Sequence, residues 1–196
     1  MARIVKDPDV RRQELIEIAL RQFIDNGYEK TSIRSILKEA DGEIGMFYHY
    51  FKSKNEIYEA ALEKYNEKFI AGIAEIVNAS DLNLEEKLNE IFSGILGAVP
   101  EYRLMHTKEV NPDIMTILLS RTLLKIVPLA ELLILDGLKK NIIDAPIPNT
   151  HLLSQFILFG VSAVIHDIEV KSMEEKIHSI KTLLYKILGL RMNDIS

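Results

Sequence analysis

Residues 40–56 read ADGEIGMFYHYFKSKNE, from Ala40 to Glu56. A glycine-bearing break leads into five positions that hold four aromatics, Phe47, Tyr48, Tyr50 and Phe51, followed by Lys52 and Lys54. The whole chain is only 7% aromatic, so this concentration calls for a cause. Phe47 and Phe51 stand four apart, as do Ile44 and Tyr48, and each pair shares one face of a helix. Phe47 and Phe51 are read as core anchors. Ser53 with Glu56 forms a capping box, the serine at the N-cap and the acid three residues on, so a new helix opens there and runs towards Asn78. Upstream, Thr31 or Ser32 can cap a short helix whose apolar face is Ile33, Ile36, Leu37 and Ala40. Short helix, tight turn and short helix fit a helix-turn-helix unit, whose second helix enters the major groove of DNA.

Working outward, the punctuation stays helical. Asp7 is placed at an N-cap with Pro8 at the first helical position, where a missing N–H costs nothing. Leu15, Ile16, Ala19, Leu20 and Phe23 recur at helical period, and Gly27 suits the left-handed position that closes this helix. Asn83 with Glu86 and Ser172 with Glu175 repeat the capping box. Val99-Pro100 is expected to interrupt one helix and Pro128 to kink or end another. The stretch NIIDAPIPNT, residues 141–150, is the clearest loop, and residues 150–167 read as a helix. The expectation is an all-α chain of about nine helices. Its organisation is a DNA-binding domain over residues 1–55 and a larger helical domain over 56–196.

Bulk properties narrow the classes. A chain of 196 residues with 47% hydrophobic content has material for a sizeable core. It holds no cysteine, so disulfides and thiol catalysis are excluded. No run reaches the ~18 apolar residues of a membrane span, and the first ten residues lack the apolar stretch of a signal peptide, so a cytoplasmic, membrane-free protein is expected. Net charge is −5, but residues 1–55 carry +1 and residues 56–196 carry −6, which makes the N-terminal quarter the less acidic part. Neither a phosphate-cradling glycine loop nor an H-E-x-x-H motif is present, and no enzyme activity or cofactor is expected. His106 with Glu109 and His166 with Asp167 are isolated pairs lacking a third ligand, so no metal is expected.

The segment TSIRSILKEADGEIGMFYHYFKSKNEIY, Thr31 to Tyr58, closely resembles the DNA-binding domain of the TetR family of transcriptional repressors. The family pattern opens T-[TS]-[VI]-R-x-I, turns, continues G-x-L/F-Y-x-[YH]-F and starts its fourth helix with S/N-K-x-x-[LI]. The preceding ELIEIALRQFIDNGYEKTS matches the family's first helix with its F-x-x-x-G-Y-x-x-T end. Together these cover roughly residues 10–60. The turn departs from the usual A-G-V-S: here it is Ala40-Asp41-Gly42-Glu43. Met46 stands where threonine is common, and Ile44 replaces a frequently polar residue, which leaves an unusually apolar reading face.

On this reading Glu43, Ile44, Gly45 and Met46 point towards base edges, with a thymine methyl suiting Ile44 or Met46 and cytosine N4 suiting Glu43. Tyr48, His49 and Lys54 are expected at phosphates, Lys54 helped by the free N–H groups opening the next helix. Thr31, Ser32 and Arg34 complete the expected DNA-binding set. The resemblance further implies a homodimer, in which Leu153, Phe156, Gly160, Ala163 and Val164 of one helix and Ile177, Ile180, Leu184 and Ile187 of the last form an intersubunit four-helix bundle on a palindromic operator. It also implies a small-molecule effector. Phe69, Phe92, Leu96, Tyr102, Met105, His106, Met115 and Leu119 are candidates to line its pocket. The competing reading is a helical sensor or adaptor of the same fold that has weak or lost DNA binding.

Overall fold

The computed structural model describes residues 7–105, 112–166 and 172–190. Among them are eight helices and no strand: α1 (Pro8–Lys30), α2 (Ile33–Glu39), α3 (Ile44–Tyr50), α4 (Lys54–Asn78), α5 (Leu84–Met105), α6 (Pro112–Lys139), α7 (Thr150–His166) and α8 (Met173–Leu188). The count differs from the expected nine because α5 continues through Pro100 and α6 through Pro128. A proline inside a helix forfeits one N–H bond and crowds the preceding turn.

The caps are as the local chemistry dictates. Asp7 accepts from the Asp9 N–H at 2.9 Å ahead of Pro8. The Asn83–Glu86 box is closed in both directions, at 2.7 and 3.0 Å, and so is the Ser172–Glu175 box. At α4, Ser53 accepts from the Glu56 N–H, whereas the Glu56 carboxylate reaches one residue further back, to the N–H of Lys52. Two buried lysines close helix C-termini: Lys87 donates to the Val77 carbonyl at 2.7 Å and Lys176 to that of Ile165 at 3.4 Å. A cation there meets the negative end of the helix dipole and satisfies carbonyls that have no intrahelical partner.

The chain divides into two compact units. One comprises Met1–Phe69 and Ala98–Leu118, the other Ile70–Gly97 and Leu119–Ser196. The first has a core of Leu15, Ala19, Phe23, Ile36, Phe47, Phe51, Ile57, Tyr58 and Ala61, all fully or nearly fully buried. Phe23, Tyr28 and Tyr58 meet as an aromatic cluster with centroids 4.9–5.8 Å apart, which ties α1 to α4. In the second unit Phe92 of α5 is buried with Ile177, Ile180 and Leu184 of α8, and Ile157, Val161 and Ile165 of α7 pack around them.

The helical path of α1 breaks at Gly27, whose φ of 78° and ψ of 168° lie in a region essentially closed to other residues. The break is what lets Tyr28 turn back onto Phe23 and Tyr58. Gly27→Ala is therefore expected to cost about 1–3 kcal/mol. That corresponds to a Tm lowered by roughly 2–12 °C in a thermal melt followed by circular dichroism. An unchanged melt would show that the break is not needed.

Candidate nucleic-acid interface

The helix-turn-helix is held together from α1. Gln22 donates to the Ser35 carbonyl at 3.2 Å and accepts from the Ser35 hydroxyl at 2.7 Å, which fixes α2. Gln22 and Arg21 also hydrogen-bond Glu39, and these two donors hold its carboxyl below the usual range. Ser32 caps α2: its Oγ accepts from the Ser35 N–H, and the Ser35 hydroxyl accepts from the Ser32 N–H, both at 3.0 Å. Thr31 behaves differently from its expected role. It is 1% exposed, and its hydroxyl lies on the carbonyls of Gly27 and Gln22, at 2.9 and 3.0 Å. It braces the α1–α2 corner and is too buried to reach a partner.

The turn between α2 and α3 is not made by the glycine. Asp41 takes the left-handed conformation at φ 48°, and the Gly42 N–H donates back to the Leu37 carbonyl at 2.9 Å, the six-to-one bond of a Schellman closure. Gly42 has another use. A β-carbon there would fall 2.0 Å from the Met46 methyl. Met46 thus folds over the turn, and its sulfur accepts the Arg11 Nε–H at 3.1 Å. The same guanidinium donates to the Ala40 carbonyl at 2.8 Å and to Glu14 at 2.7 Å. Met46 is partly buried against the core, so it is a strut under α3 where the sequence suggested a base contact.

Phe47 and Phe51 face inward, as expected, with centroids 5.8 Å apart, and Arg12 stacks on Phe51 at 5.0 Å. What α3 leaves outward is Glu43, Ile44, Gly45, Tyr48 and His49, all exposed. Glu43 occupies the N-cap position without making a side-chain cap bond. A β-carbon at Gly45 would meet nothing within 4 Å. Arg34 is exposed on α2, where Arg34, Leu37, Lys38, Gly42 and Ile44 border an open hollow of about 430 Å³. Lys54, at the first turn of α4, lays its ammonium 3.9 Å from the centre of the Tyr28 ring.

The other expected sites are distributed as follows. On α7, Phe156, Gly160, Ala163 and Val164 are exposed and Leu153 is half-buried. On α8, Ile187 is exposed, whereas Ile177, Ile180 and Leu184 are consumed by the core of the second unit. Leu183 of α8 and Leu152 and Phe159 of α7 are exposed instead. A bare helical period cannot say which of two apolar faces meets its own chain. Among the pocket candidates, Phe92 and Leu96 join the α7–α8 cluster, Met115 packs on the core of the first unit, and Leu119 is half-buried in the second. Phe69 borders an open groove of about 610 Å³ along α1 and α4. The side chains of Tyr102 and Met105, and His106 altogether, lie outside the described residues. Among the described residues no metal-binding cluster occurs, and no helix is long and apolar enough to cross a membrane.

The family model described as bacterial regulatory proteins, tetR family, matches residues 15–61, the span from the core of α1 through the first turns of α4. Residues 15–61 are a TetR-family segment. The HTH-type transcriptional repressor KstR2 of Mycolicibacterium smegmatis is 32% identical over 92 residues, 47% of this chain and 44% of that protein. The HTH-type transcriptional regulator PksA of Bacillus subtilis is 33% identical over 85 residues, 43% of this chain and 41% of that one. Matched in this way, the chain spans about half the length of the curated relatives it resembles. The fold agrees over more of the chain. A transcriptional regulator from Cytophaga hutchinsonii superposes with a TM-score of 0.71 at 18% identity, covering 93% of this chain and 96% of that one. Reduced NemR of Escherichia coli does so with a TM-score of 0.64 at 14% identity, covering 92% and 99%.

Proposed function

We propose that this chain is a DNA-binding transcriptional repressor of the TetR family, that it works as a homodimer on a palindromic operator, and that a small molecule releases it. One observation carries the DNA-binding part: the side of α3 away from the core, with Glu43, Ile44, Gly45, Tyr48 and His49, is exposed. Glu43 caps nothing, Ile44 and Tyr48 are apolar bodies in solvent, and Gly45 sits in a seven-residue helix with no neighbour crowding it. An exposed helical glycine costs about 1 kcal/mol against alanine. Close approach of a partner's backbone gives that cost a reason. Arg34, Tyr48 and His49, with Lys54 beside Tyr28, supply the phosphate contacts that set register on the duplex.

Residues 56–196 supply pairing and effector binding in this reading. The exposed apolar side of α7, joined by Leu183 and Ile187 of α8, is the pairing face. The long helix α4 runs unbroken from Lys54 to Asn78, so a ligand that shifts its far end moves Lys54 with it. The ligand must bind the DNA-incompetent state more tightly for release to follow.

The test is a footprint on the DNA flanking the chain's own gene at moderate salt. Protection of a palindromic site supports the reading. Absence of protection with an intact dimer sinks it and favours the sensor without DNA binding. Gly45→Ala separates function from fold. It is expected to leave stability equal or raise it by up to ~1 kcal/mol, while weakening operator binding. Unchanged affinity would remove the glycine from the interface.

A further inference from the structure

We infer that Ile44 is the residue through which this chain reads sequence by apolar contact, and that its target is the 5-methyl group of a thymine in each operator half-site. The inference rests on the DNA-binding reading above and narrows it to one side chain and one chemical group. The sequence left two apolar candidates at the start of α3, Ile44 and Met46. The structure separates them. The Met46 methyl lies over Gly42, its sulfur holds the Arg11 Nε–H at 3.1 Å, and the side chain packs on the core. Ile44 is 53% exposed at the first position of α3, where a helix-turn-helix presents side chains to base edges.

Isoleucine carries no hydrogen-bonding atom, so it cannot read donors or acceptors. The apolar group that a base edge offers in the major groove is the thymine methyl. The surroundings suit that placement. Ile44 borders the open hollow shared with Leu37, Gly42, Arg34 and Lys38. The apolar members can receive a methyl, and the two cations, four residues apart on α2, can take the adjoining phosphates. Gly45 beside it has no internal neighbour and lets the helix come close.

The experiment uses the full chain and a library of duplexes carrying ~20 random base pairs, from which bound sequences are enriched. Each thymine of the enriched duplex is then replaced by deoxyuridine, which deletes only the methyl, and affinity is read by fluorescence anisotropy. One thymine per half-site is expected to respond. Its replacement should cost about fourfold in one half-site and about fifteenfold in both, the factor carried by one buried methyl-sized group. In Ile44→Ala that response should vanish, while the melting temperature stays as in the parent because the side chain is exposed. Three results overturn the assignment: enriched half-sites without thymine, no thymine whose methyl matters, or a methyl response that survives Ile44→Ala. Failure to enrich any duplex would instead sink the DNA-binding reading itself.

Discussion

In the proposed homodimer, Phe156→Glu is expected to split the pair while leaving each protomer folded. Phe156 is 70% exposed on α7, and Leu152, Phe159, Gly160, Ala163 and Val164 extend the same side, with Leu183 and Ile187 of α8 also exposed. An apolar stretch of this kind marks an association surface. Burying one phenylalanine is worth about 1.5–3 kcal/mol, and a two-fold dimer loses two of them. The introduced carboxylates add desolvation on top. Self-association should weaken by about 10²–10⁴-fold or more, enough to give monomers in sedimentation velocity at micromolar concentration. Circular dichroism and the thermal melt should stay close to the parent, since nothing inside the protomer rests on that ring. Operator affinity should collapse with the dimer, because a single head contacts only one half-site. Ile180→Ala is the counterpart: Ile180 is buried against Phe92, so its truncation should cost about 2–5 kcal/mol of protomer stability. If Phe156→Glu sediments as the parent does, pairing does not use this face.

That contrast also shows where the sequence was legible. Helix ends followed from chemistry within a few residues: Ser53 and Ser172 open helices, and α4 stops at Asn78 as read. The inward pair Phe47 and Phe51 followed from spacing alone. Whatever depended on a distant partner did not follow. Thr31 resembles an exposed cap until the Gly27 break brings the Gly27 and Gln22 carbonyls to its hydroxyl. Met46 resembles a reading residue until Arg11, 35 positions away, takes its sulfur. Ile177, Ile180 and Leu184 fit a pairing stripe as well as a core stripe, and the packing of α7 and Phe92 onto them decides for the core. Pro100 and Pro128 counted as breaks because the lost bond is local, whereas helix continuity is decided by the stretch on both sides. The sequence places the break between α2 and α3 at a glycine, yet Asp41 takes the left-handed conformation, and Gly42 leaves room for the Met46 methyl.

Two adjacent aromatics should respond in opposite ways. Phe47 is 0% exposed, in the centre of the first unit's core, with the Phe51 ring 5.8 Å away and Tyr48 edge-on at 5.5 Å. Phe47→Ala removes the anchor that holds α3 against α1 and leaves a cavity, at a cost of about 3–5 kcal/mol. A domain of ordinary stability has only ~5–15 kcal/mol in all, so denaturant melts should show the first unit losing much of its resistance. DNA binding should fall with it, and lowering the temperature should recover part of the binding as the folded fraction rises. Tyr48 is the next residue and is 57% exposed. Tyr48→Ala should cost about 0.5–1.5 kcal/mol of stability at most, the worth of its edge-on contact with Phe47. On the proposed phosphate role it should weaken binding at every temperature while the fold stays intact. Anisotropy titrations of both variants against one duplex at two temperatures, set beside their urea midpoints, distinguish these outcomes. If the two variants lost affinity and stability in parallel, the division of α3 into an anchoring and a reading face would be wrong.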